Sequence, residues 1–173
     1  MSGRPLVPGE SVTRVRATVA PGGRLDLALE PAIVTAGARH RAVTEIVLAE
    51  GAALRWREEL VLGRHGERPG RCTARADVTL GGRPLLRHEL RLADDVAHVS
   101  GAVLDGARCT GSVLLAGPGP AREPYAAEGL AVMPLAGPGV LVTALASDSA
   151  TLRRRLRLGE RRAVHGENVS KLP

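Results

Sequence analysis

Glu58 is the residue whose position most demands a chemical reason. Read with period two, it stands on one row with Leu54, Trp56, Leu60 and Leu62. A carboxylate on an apolar row is costly unless it is paired, hydrogen-bonded or wet. Two readings follow. Glu58 is either the polar lining of an interior path for a borderline dication, or a buried carboxylate satisfied by an arginine or a backbone N–H. His88 shares a row with Leu86 and Leu90, as a relay or transient metal ligand or as a satisfied core histidine. His40 and His65 fall in expected turns, and His98 and His165 stand alone. Cys72 and Cys109 lie on apolar rows and read as small core residues. No His/Cys pair has the spacing of a permanent metal site. The chain contains no G-x-S-x-G, G-x-x-x-x-G-K-[ST] or H-E-x-x-H, so an enzyme is the poorer reading.

Composition narrows the classes further. The chain has 173 residues, enough for one domain with a real core. Trp56 and Tyr125 are its only aromatics, so the core must be aliphatic and stacking platforms for bases are scarce. The net charge is +6, and Lys171 is the only lysine among the 24 basic residues. The arginines are interleaved with Asp and Glu except near Arg153–Arg162, which favours a solvated surface with a basic tail over a nucleic-acid site. Met1–Pro5 lacks a signal-peptide run and no stretch is long enough to span a bilayer, so a cytoplasmic location is expected, with no membrane partner.

The elements that must position these residues are strands. Alternating rows at Thr13–Val19, Leu25–Leu29, Ala42–Leu48 and Leu54–Leu62, bounded by Gly and Pro turns, predict a mainly antiparallel all-β fold. One hairpin joins Arg71–Leu80 to Pro84–Leu92. A two-residue Gly81-Gly82 loop would mix the faces. A three-residue loop pairs Val78 with Leu86, Ala76 with His88, Ala74 with Leu90 and Cys72 with Leu92. It also matches Arg75 with Glu89 and Asp77 with Arg87. A second hairpin is expected at Asp105-Gly106, pairing Val103 with Cys109 and Val99 with Val113. Ala131–Leu135 and Val140–Leu145 read as short strands. A helix then begins at Ser147 or Asp148, with Leu152 and Leu156 on one face. The domain is expected to run over 1–158, with 159–173 a polar, flexible tail.

Several segments resemble the urease accessory protein UreD (UreH) family. Leu25–Arg39 (LDLALEPAIVTAGAR) is similar to the family's LEWLPQ…ILF-GAR stretch, with Ile33, Gly37, Ala38 and Arg39 in register. Trp56–Arg64 (WREELVLGR) carries Trp56, Glu58, Leu60, Leu62, Gly63 and Arg64 of a second element. Gly82–Leu85 resembles the family's G-RPL hairpin, and Met133–Pro138 and Val140–Leu145 resemble the C-terminal end of actinobacterial-type members. The family's Pro-Gln is replaced by Leu29-Glu30, and its first strands are missing, so an N-terminally shortened form is expected. The resemblance implies a layered β-helix-like or sandwich-like stack of strands with one short C-terminal helix. It implies a non-catalytic chaperone that binds urease apoprotein together with UreF- and UreG-type proteins. In that family GTP is hydrolysed by the UreG-type subunit, and nickel passes transiently through an internal wet passage with no cofactor held permanently. The candidate lining here is Glu58, His88 and Glu30. Two rival readings are a β-domain binding a small ligand or partner, and a basic nucleic-acid binder.

Overall fold

Alternation with period two becomes strand wherever turn residues bound it. The computed structural model describes residues 9–92, 100–119 and 123–165. It contains β1 (Glu10–Val19), β2 (Arg24–Ala28), β3 (Ala32–Val34), β4 (Arg39–Leu48), β5 (Ala53–Leu62), β6 (Arg71–Leu80) and β7 (Arg83–Leu92). There follow β8 (Cys109–Ala116), β9 (Tyr125–Ala127), β10 (Leu130–Pro134), β11 (Gly139–Ala146) and the helix α1 (Ser149–His165). One sheet has the order β1-β4-β6-β7. The other runs β2-β5-β8-β11-β10-β9, with β3 also paired to β5.

The all-β class with one helix is as expected, but the sheets are mixed. β1, β4 and β6 are parallel neighbours, and β2 and β3 pair in parallel with β5. Pro21-Gly22-Gly23 does not close a hairpin. It carries the chain from one sheet to the other, and the next crossing stacks beside it through Ala49 N–H to the Val19 carbonyl and Ala53 N–H to the Gly23 carbonyl. Alternation fixes which face a side chain takes but says nothing about which neighbour the strand edge meets.

The β6–β7 hairpin has the expected register: Cys72 with Leu92, Ala74 with Leu90, Ala76 with His88 and Val78 with Leu86. Its turn is nevertheless two residues long. Gly81 and Gly82 have φ of 56° and 76°, and an irregularity after Val78 absorbs one extra residue, so that Leu80 pairs with Arg83. The second expected hairpin does not form. Val103 sits in a tight turn whose amides bond to the Ser100 carbonyl, and Cys109 pairs with Ala146 and Val61, because β5 and β11 occupy both edges of β8. Val99 lies outside the described residues. His40 lies on β4 rather than in a turn.

The two sheets pack face to face. One apolar cluster joins Ile46, Leu48, Val78 and Leu86 to Leu54, Trp56, Leu114 and Leu141. A second joins Ala42, Cys72, Ala74 and Leu92 to Val34, Leu60 and Leu62. The helix covers the opposite face of the larger sheet, burying Leu152, Leu156 and Ala163 against Val113, Val132 and Val142. Each such leucine contributes roughly 1.5–3 kcal/mol. Asp148 caps the helix, its carboxylate accepting from the Thr151 N–H at 2.8 Å. The helix extends past Leu158 to His165, so ordered structure reaches beyond the boundary expected from sequence.

Candidate functional site

Strand β5 turns alternate side chains to opposite faces. Leu54, Trp56, Glu58, Leu60 and Leu62 point between the sheets, where all but Glu58 are buried hydrophobics. Directly across the ladder from Glu58 stands Ser112 on β8, and across from Ser112 stands Thr143 on β11. This polar row divides the two apolar clusters. The facing sheet answers it at one level, where Thr44, Ala76 and His88 are register partners on β4, β6 and β7. Thr44 is almost fully buried. Glu58 and His88, 30 positions apart in sequence, line one small cavity with Leu60, Ala74, Leu90, Thr110, Gly111 and Ser112. Its volume of about 10 Å³ is room for roughly one water. A fully hydrated dication would not fit.

Burial pushes the Glu58 carboxyl up to about 7. No ion pair or hydrogen bond reaches it from the described residues, so the arginine-satisfied reading of this carboxylate is not met. Cys72 is buried and free, and its thiol is pushed up to about 12, first by burial and then by the charge of Glu58. It is a core residue rather than a reactive one. His40, on the row with Cys72, is held below its usual range by burial against the opposing pull of Glu10, and its Nδ1 lies 2.9 Å from Ser11 Oγ. Among the described residues no three His, Cys, Asp or Glu side chains converge as a metal cluster.

Glu30 is exposed in the connection between β2 and β3 and does not line the cavity. The remaining motif positions are architectural. Trp56, Leu60 and Leu62 are core. Gly37, at φ 72°, turns the chain before Arg39 opens β4, with the Arg39 side chain exposed. A Cβ on Gly63, at φ 76°, would stand 2.9 Å from the Glu67 carbonyl, and the Arg108 guanidinium donates to the Arg64 and Glu67 carbonyls. Sequence reasoning missed Thr44, Thr110, Ser112 and Thr143. The available signal was small hydroxyl residues recurring inside otherwise aliphatic strands.

The other face of β5 carries charge beneath the helix. Glu59 is 3% exposed and ion-paired to Arg57 and to Arg153 of α1, the latter at 3.2 Å. Arg55 donates to both Glu160 oxygens at 2.9 and 3.0 Å and to Asp26. Gly111, opposite Glu59, is the thin point between helix and cavity. A Cβ there would lie 2.9 Å from Leu156 Cδ1 and 3.1 Å from the Glu58 carbonyl.

The sequence profile of the UreD urease accessory protein family matches residues 4–169. The urease accessory protein UreD of Parafrankia sp. (strain EAN1pec) is 49% identical, an alignment covering 86% of this chain and 58% of that protein. That of Frankia casuarinae is 43% identical, covering 88% and 57%, and that of Streptomyces coelicolor is 44% identical, covering 82% and 58%. The chain therefore spans somewhat more than half the length of these relatives. On the extent of the profile match and these identities, the chain belongs to the UreD urease accessory protein family.

Proposed function

We propose that this chain acts in urease maturation as a non-catalytic scaffold, and that the row Glu58–Ser112–Thr143, faced by His88, is part of a path by which Ni²⁺ is delivered as cargo. The observation that carries this reading is a carboxyl held between two apolar clusters with no cation partner among the described residues, sharing a cavity with an imidazole. Such a group has no structural use that an apolar residue would not serve better. A carboxyl poised near neutrality, one imidazole and hydroxyl oxygens make a weak, exchangeable donor set, which suits transit rather than storage. Because the cavity admits only about one water, the ion would shed water as it enters and take protein oxygens in exchange.

The proposal includes the partners expected of the family: urease apoprotein and the UreF- and UreG-type proteins, with GTP hydrolysed by the UreG-type subunit, in the cytoplasm. No helix among the described residues is long and apolar enough to cross a membrane. The test is a strain lacking its own UreD-type gene. This chain should restore urease activity and co-purify with the UreF-type protein. Absence of both would overturn the reading, and strongly salt-dependent binding to nucleic acid instead would favour the basic-binder alternative.

A further inference from the structure

The smaller sheet ends at β7, and no described strand pairs with its outer edge. The larger sheet has two further strands, β10 and β9, past β11, whose Gly139 lies close to Leu85 of β7. The row of Glu58, Ser112 and Thr143 ends there in small apolar residues, since Thr143 is paired to Ala131 on β10 and Ala131 to Ala126 on β9. On this face Met133 is 39% exposed and Ala126 is exposed, whereas Leu130 and Val132, turned to the helix, are buried. Among the described residues nothing covers this ledge or pairs with the edge beside it, and the cavity lined by His88 and Leu90 of β7 lies just inside that edge, between β6–β7 and β5–β8. Free edge N–H and C=O groups accept a further strand readily.

We propose that the edge of β7 docks an extended segment of a partner protein, which adds to the smaller sheet, covers the β10–β9 ledge and roofs the cavity at His88. The edge itself selects a strand. Its inner row must be apolar to meet Ala131 and Met133. Its outer row should carry a carboxylate, because Arg87 is exposed on the outer row of β7 and makes no ion pair among the described residues, whereas Arg91 has Glu89. A second copy of this chain does not fit. Antiparallel pairing of two β7 edges places both inner faces on one side. The two ledges, each about two strands or ~10 Å wide, would then claim the same space. Delivery of cargo to such a partner rests on the function proposed above, but the docking edge does not.

Hydrogen–deuterium exchange of the chain, alone and mixed with urease apoprotein and UreF- and UreG-type proteins of a relative, tests this. Amides of Arg83–Leu92 should slow at least tenfold in the complex, while those of the other outer strand, Glu10–Val19, should not. Arg87→Glu and Met133→Glu, both at exposed positions, should each weaken association at least tenfold with unchanged circular dichroism. Arg14→Glu on β1 should leave association unchanged. A complex that forms with β7 unprotected, or that tolerates both variants, would overturn the docking edge and leave the proposed function standing. Protection of β7 by self-association would likewise overturn it. No complex with any of these proteins would overturn both.

Discussion

Glu58 and Glu59 are neighbours on one strand and lead opposite lives. Glu59 is the more deeply buried, yet two guanidiniums neutralise it and tie β5 to the helix. Glu58 is less buried and has no counter-charge among the described residues, and burial lifts its carboxyl to about 7. Depth alone therefore does not separate a carboxylate held in an ion pair from one left without a partner. The informative quantity is burial without compensation.

The contrast can be broken most forcefully at Glu59. Glu59→Ala leaves the largely buried Arg57 beneath the helix without its carboxylate and unties the more exposed Arg153, and should cost about 3 kcal/mol in urea unfolding at pH 7. A loss well under 1 kcal/mol would mean that the ion pairs are not holding the helix. Glu58→Gln should act with the opposite sign. The folded carboxyl titrates near 7 and an unfolded one near 4.5. Between these values the folded form keeps a proton that the unfolded form has lost, so stability falls as pH rises through that window and is lowest above 7. The variant escapes this loss. It should match the parent near pH 4.5 and exceed it by on the order of 2–3 kcal/mol at pH 8. Equal stability at both values would place Glu58 in water. The smallest effect is expected at the helix cap. Asp148→Ala should lower the thermal midpoint by about 2–4 °C without altering the pH 8 gain of Glu58→Gln, since the two sites share no partner. The Thr151 N–H holds the Asp148 carboxyl below its usual range, so the cap's contribution should fade only in acid.

How much of this was legible beforehand depended on whether the relevant forces were local. The register of β6 with β7 could be read because face and charge pairing agreed on one alignment, even though the turn proved shorter and a bulge restored the register. The inward direction of Glu58 followed from period two. The parallel stacking of β1, β4 and β6 could not be read, since edge partners are chosen by the crossing turns and not by alternation. The pairing of Glu59 with Arg153 spans 94 positions and left no local trace. Ser112 and Thr143 were invisible for a different reason: either hydroxyl is unremarkable in a strand, and only the ladder aligns both with Glu58.

Glu58 is proposed to serve cargo rather than stability. The most direct measurement is the nickel content of urease purified from a UreD-deficient strain complemented with the parent chain or with Glu58→Gln, both expressed to the same level. Urease from the Glu58→Gln strain should carry at least severalfold less nickel per active site, although that variant should be the more stable protein above pH 7. Equal nickel content from the two strains would contradict it.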